Sequence, residues 1–182
     1  VPLTLDSTPL SPTQNSYVSS SEMVDYVQGR VSSVDTQTAW HNLDQSAQIA
    51  YIVNATRSLD NIVNWIGEQY SRNQTLRWPR VAAFIENFQL DVDTTPVAVK
   101  EATCEMALWL MGLGGATSVQ GNEAFQRLWV GPIKLQFNDQ SGSPATRYMP
   151  DIVAQILRDY GSFESPATPG GRTARMGSLQ RA

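Results

Sequence analysis

Metal and thiol chemistry have almost no raw material in this sequence, which holds one cysteine, Cys104, and one histidine, His41. A structural zinc takes about four nitrogen or sulfur ligands and a catalytic zinc about three protein ligands, so this pair cannot build either site. A single cysteine also forbids an intrachain disulfide and agrees with a reducing compartment. No apolar run approaches the roughly 18 residues that span a bilayer, and no membrane partner is expected. The opening VPLTLDSTPLSPTQ has neither a cationic stretch nor a long apolar one, so we expect no secretory signal there. Without secretion, the sequons at Asn54 and Asn73 carry no meaning.

The usual catalytic signatures are missing as well. There is no G-x-S-x-G, no phosphate loop and no dinucleotide fingerprint. The glycines of GLGG at 112–115 follow a helical pattern instead of opening one, the wrong order for cradling phosphate. Cys104 lies on an apolar helical stretch and reads only as a small hydrophobe, since no base is spaced to activate it. His41 reads as a surface or helix-end residue. Asp91 and Asp93 in DVD lack the further ligands and the closing Glu of a calcium loop. The expectation is therefore no cofactor, no metal and no enzymatic activity.

What is present suits one domain with appendages: 182 residues, 41% hydrophobic and 16% charged, enough to bury a core. The net charge of −4 opposes a dedicated nucleic-acid binder, which is usually basic. That charge is unevenly spread. Residues 1–45 carry five acids (Asp6, Glu22, Asp25, Asp35, Asp44) against Arg30, whereas residues 165–182 carry Arg172, Arg175 and Arg181 with no acid.

Prolines at 2, 9 and 12 make residues 1–18 an extended arm. Ser19 with Glu22 predicts a capping box, and Val18 with Met23 a hydrophobic staple, for a helix presenting Met23, Val27 and Val31. Asp35 is the next cap candidate, before a short turn with Trp40. Asp44 caps a long helix whose inward spacing is Ile49, Ile52, Val53, Thr56, Leu59, Asp60 and Val63, with Gly67 as its stop. Pro79 breaks regular structure, and VAAFIENFQL after it reads as a short helix or a strand, with the helix favoured. Thr95 and Pro96 start the most apolar helix, running to the glycines at 114–115. Ile133, Leu135 and Phe137 alternate with polar residues as a strand, which can pair with 125–130 as a hairpin. A last helix carries Ile152, Val153, Ile156, Leu157 and Tyr160, with Gly161 to end it.

The fold class expected is mainly α: a bundle of about four main helices over 19–161, a small β element at about 125–138, and extended arms at 1–18 and 162–182. Trp65, Trp109 and Trp129 fall on apolar faces and suit a core or a subunit interface. RWPR, with Arg77, Trp78 and Arg80, has two readings. Aromatic and basic residues together can stack on and neutralise a single strand; the favoured alternative is a packed Trp between salt-bridging arginines.

Taken in order, NSYVSSSEMVDYVQGR, ATRSLDNIVNWIG, LRWPR, PVAVKEATCEMALWL, VGPIKLQF, PDIVAQILRDYG and the Arg-rich end resemble a family of tailed-bacteriophage head–tail connector proteins, often labelled DnaT-like single-stranded-DNA-binding proteins. The resemblance runs from about Asn15 to Ala182, with 79–91 more apolar than the family's turn-rich stretch. It implies a virion protein, assembled in the bacterial host cytoplasm, that forms a ring of typically twelve subunits below the portal. DNA would pass through without specific binding, and the next tail or neck protein would dock beneath. It further implies a C-terminal arm on the portal, with Met176 and Leu179 filling pockets and Arg172, Arg175 and Arg181 pairing with acids. Trp129, Ile133, Leu135 and Phe137 are the candidate subunit or tail interface. A single-strand-binding module using Arg77, Trp78 and Arg80 is the competing expectation.

Overall fold

Serine, aspartate and glycine punctuation decides where this chain turns. In the computed structural model, which describes residues 4–112, 127–130, 133–136 and 149–163, α1 spans Ser20–Arg30 and begins with the expected capping box. Glu22 N donates to Ser19 Oγ at 3.2 Å, and Ser19 N to Glu22 Oε2 at 2.7 Å. This satisfies two of the donors that a helix start leaves open. Met23 and Val27 are fully buried beneath it, beside Val18.

The expected short turn at Trp40 is instead a second helix, α2, over Val34–His41, capped by Ser33 and not by Asp35. Thr36 N reaches Ser33 Oγ at 3.3 Å. Asp35 sits inside the first turn, where its charge faces the positive helix end. The long helix α3, Gln45–Ile62, is capped by Asp44 through Ala47 N at 2.7 Å. It stops five residues before Gly67, because Val63 already belongs to a strand. β1 (Val63–Trp65) pairs antiparallel with β8 (Gly161–Phe163), Val63 opposite Phe163 and Trp65 opposite Gly161. Val63 and Trp65 are buried and Asn64 exposed, the period of two that overrides the helical period at this point.

The next corrections fall between Glu68 and Leu90. The expected helix in VAAFIENFQL is absent; β2 (Glu68–Gln69) pairs with β3 (Arg80–Val81), and β4 (Phe84–Ile85) with β5 (Phe88–Gln89). Ala82, Glu86 and Asn87 all have positive φ, which an α-helix of L-residues cannot accommodate. Glu86 and Asn87 form the two-residue turn of the second hairpin, with the left-handed φ at both positions that matches strand twist. Gly67, at φ 70°, is required here. A Cβ on it would lie 2.5 Å from Val81 O and 2.8 Å from Ala83 N.

The helix α4, Val97–Gly112, is the central element, packed against α1, α3 and α5 (Asp151–Leu157). Its start differs from expectation in one detail. Pro96 O accepts from Val99 N and Lys100 N, whereas the Thr95 hydroxyl is buried and makes no hydrogen bond. Leu110 is 1% exposed, and Val153 and Leu157 close the far side. β6 (Arg127–Val130) and β7 (Ile133–Gln136) form the expected antiparallel hairpin, Trp129 opposite Lys134 and Leu128 opposite Leu135.

The fold is thus mainly helical, with five helices where about four main ones were expected, and four two-stranded ladders among the described residues. Residues 4–18 contain no helix or strand, but they fold back on themselves. Asp6 accepts from Ser11 Oγ (2.6 Å), Thr13 Oγ1 (2.7 Å) and Thr8 N (2.9 Å). These bonds hold its carboxyl well below the usual range. Tyr17 and Val18, at the end of this segment, enter the core. No helix among the described residues is long and apolar enough to cross a membrane.

Candidate functional site

The RWPR segment is fixed from below by a buried polar hub. Tyr17 Oη donates to Asp60 Oδ1 in a short hydrogen bond, Arg77 N donates to Asp60 Oδ2 at 3.0 Å, and Trp78 N donates to Tyr17 Oη at 3.3 Å. Burial pushes the Asp60 carboxyl above its ordinary value against the hydrogen bonds from Tyr17 and Arg77 N. Burial, then the adjoining Asp60 charge, pushes Tyr17 up strongly and keeps it a neutral donor. Residues far apart in the chain therefore pin the 77–78 backbone to α3.

That hub decides the direction of each RWPR side chain. Trp78 points inward and is fully buried, edge-on to Trp65 at 5.9 Å and to Tyr160 at 6.3 Å. It cannot offer a face to a base while the core is closed. Arg80 is buried too, and it makes no salt bridge among the described residues. Its guanidinium donates to Ile66 O (2.6 Å), Gly67 O (2.5 Å) and Arg77 O (3.2 Å), so it ties the β2 and β3 ends together as a backbone clamp. Arg77 alone of the three is exposed. The expectation of a packed Trp holds, and that of salt-bridging arginines does not.

Between α1 and α4 lies a cavity of about 380 Å³, lined by Val18, Tyr26, Val97 and Cys104 with charged residues at its rim. Lys100 Nζ is on Glu22 Oε1 at 2.6 Å, Arg30 Nη2 on Glu101 Oε1 at 2.8 Å, and Tyr26 Oη donates to Glu105 Oε1 at 2.7 Å. Both rim cations are thus engaged by carboxylates. Cys104 is buried, and burial together with Glu22 and Glu105 pushes its thiol up to about 12, so it is not a thiolate at neutral pH. His41 is exposed at the end of α2, its Nδ1 2.7 Å from Gln37 O. No group of three His, Cys, Asp or Glu able to hold a metal occurs among the described residues.

The distinctive chemistry is on the surface instead. Six large hydrophobic side chains are exposed among the described residues, and the three aromatic ones are Tyr70 (49%), Phe84 (53%) and Phe88 (77%). Phe84 pairs with Gln89 and Ile85 with Phe88, so the two rings stand on opposite faces of the β4–β5 hairpin. Between Val81 and Val99 the chain has three acids, Glu86, Asp91 and Asp93, all exposed, and no base. Between Tyr70 and Pro79 it has Arg72 and Arg77, both exposed, and no acid.

Residues 1–177 match the model of a protein family described as "Putative DnaT-like ssDNA binding protein". The chain belongs to this family. No curated protein and no solved structure matches it.

The DnaT-like family's name directs attention to aromatic and basic residues, and here they are divided. The arginine loop at 71–78 has Tyr70 beside it, while the exposed phenylalanines stand among acids. Sequence reasoning did not single out Tyr70, Arg72, Phe84 or Phe88. Val81, Phe84, Ile85 and Phe88 recur at helical spacing, and that pattern concealed the hairpin. The structure brings Arg77, Trp78 and Arg80 into one segment but separates their roles. Trp129, Ile133 and Leu135 are in the β6–β7 ladder, whose side chains lie outside the described residues. So do Phe137 and all of Arg172, Arg175, Met176, Leu179 and Arg181.

Proposed function

We propose that this chain is a structural adaptor at the head–tail junction of a tailed bacteriophage. In this reading it forms a ring of twelve copies below the portal, joins capsid to tail and lets DNA pass. The order of motifs from Asn15 to Ala182, with its resemblance to head–tail connector proteins, supports it. The observation that carries it is the hairpin at 84–89. Exposed Phe84 and Phe88, on a stretch whose charged residues are Glu86, Asp91 and Asp93, suit a protein surface better than phosphate. An acidic body also favours a conduit over a binder, since each neutralised phosphate adds salt-dependent affinity.

The partners in this account are the portal, identical subunits, the next tail or neck protein, and DNA in transit. Residues 164–182 are the portal-docking arm. Their Pro and Gly oppose a regular helix, and Arg172, Arg175 and Arg181 call for an acidic acceptor, so docking weakens as salt rises. The alternative, a single-strand-binding module, is favoured by the family's description and by Arg72, Arg77 and Tyr70 on one loop.

One experiment separates the two. Full-length protein and a chain ending at 163 are each mixed with portal and, separately, with a labelled oligothymidylate. The adaptor reading expects portal binding by the full chain alone and little binding of the oligonucleotide. Tight oligonucleotide binding lost on Arg72→Glu/Arg77→Glu, with no portal binding, would establish the alternative.

A further inference from the structure

The ladder β2–β3 has a loop at each end, and the two loops carry opposite charge. Its register is Glu68 opposite Val81 and Gln69 opposite Arg80, prolonged by Tyr70 N to Pro79 O. The chain therefore leaves one end into the arginine loop 71–78, and the other end into Ala82 and the β4–β5 hairpin. The first end has Arg72 and Arg77 exposed. Arg57 is exposed on α3, three residues before the Asp60 that holds Arg77 N. None of these arginines has an ion-pair partner among the described residues. The second end has Glu86, Asp91 and Asp93, with Glu68 at its base. Every exposed aromatic among the described residues is at one of these two ends: Tyr70 at the basic one, Phe84 and Phe88 at the acidic one.

We propose that the β4–β5 hairpin of one copy docks on the arginine loop of a second copy, head to tail. The inference rests on the ring reading above and names the contact that would build the ring. Hairpin against hairpin would set three acids against three acids, and loop against loop would oppose arginines, so charge disfavours the two-fold arrangements of the same patches. Hairpin against loop pairs carboxylates with guanidiniums and brings Phe84 and Phe88 to Tyr70 and to the stacking faces of Arg72 and Arg77. Because the patches differ, each docked copy still has one free hairpin and one free loop. Repetition of such a contact gives a ring when the rotation closes.

The hairpin's own construction fits this role. A two-stranded hairpin is marginal in water unless something covers it. This one leaves a phenylalanine uncovered on each face and turns through Glu86 at φ 47°, a conformation that non-glycine residues adopt at a cost. A cleft-like partner that grips both faces would supply the missing contacts.

The test uses the full-length chain and two charge-reversed variants, Glu86→Arg/Asp91→Arg and Arg72→Glu/Arg77→Glu. Assembly is followed by sedimentation and native mass spectrometry, with circular dichroism melts as the folding control. Wild type should self-associate, more strongly at low salt. Each variant alone should lose association by roughly tenfold or more, the scale of a rim charge pair turned repulsive. An equimolar mixture of the two should assemble again. There the reversed hairpin of one meets the reversed loop of the other, and the remaining native pair meets as before; two misfolded variants could not rescue each other. Phe88→Ser should weaken wild-type assembly without lowering its melting temperature. A mixture that stays monomeric, or a wild type monomeric under all these conditions, overturns the proposal. An oligomer that survives both variants overturns this interface while leaving a ring adaptor built through another face intact.

Discussion

Tyr17→Phe removes one oxygen, and the geometry of the hub makes that oxygen expensive. The Tyr17 hydroxyl donates to the Asp60 carboxylate and accepts from Trp78 N, at a site where Tyr17 is 1% and Trp78 0% exposed. A hydrogen bond to a charged group contributes about 1.5–3 kcal/mol, and a buried amide left without an acceptor costs about 1–3 kcal/mol. Since the two losses are coupled, the expected destabilisation is about 2–4 kcal/mol. For a chain of this length that lowers the melting temperature by about 5–15 °C.

The pH dependence has a definite sign. Burial raises the Asp60 carboxyl above its ordinary 3.8, so ionising it costs more in the folded protein than in the unfolded one. Its contribution is fully present below that value and is lost as pH rises through the folded value. The Tyr17 bond matters most when Asp60 is charged. Urea unfolding followed by tryptophan fluorescence should show a larger Tyr17→Phe effect at pH 7 than near pH 4. In an Asp60→Asn background the effect should fall by about 1 kcal/mol, as the acceptor is then neutral. A Tyr17→Phe midpoint within error of wild type, or an effect independent of pH, would refute the hub as described.

Leu110→Ala, at a site fully enclosed by the packing around α4, should cost about 2–5 kcal/mol in urea unfolding. Gly67→Ala meets both a positive φ and a backbone oxygen 2.5 Å from the new Cβ. It should destabilise by more than about 1 kcal/mol and disturb the β2–β3 ladder, read by amide hydrogen exchange at Tyr70 and Val81. Cys104, with its thiol at about 12 and buried, should resist iodoacetamide in the native protein at pH 8 and react on unfolding.

The local grammar of the helices was legible in the sequence because caps act over three or four residues. Ser19 with Glu22, and Asp44 with Ala47, needed nothing distant. The ends of elements were less so. Val63 leaves α3 because its backbone pairs with Phe163, a hundred residues away, and no window around Val63 contains that information. The fate of RWPR was equally non-local. The same residue types stack on bases or pack into a core, and here Tyr17 and Asp60 decide for the core. The β4–β5 hairpin escaped detection because its turn is Glu86-Asn87, without the glycine that usually marks left-handed φ at two successive residues. The charge opposition across β2–β3 depends on the register, so it became visible only with the fold.

The most direct test of the adaptor account is electron cryo-microscopy of the virus particle in which that account places this protein. The account predicts a ring of density between portal and tail into which the helices α1–α5 fit, with the 84–89 hairpin of each subunit against the 71–78 loop of its neighbour. Purified particles that lack this chain at the junction would contradict it.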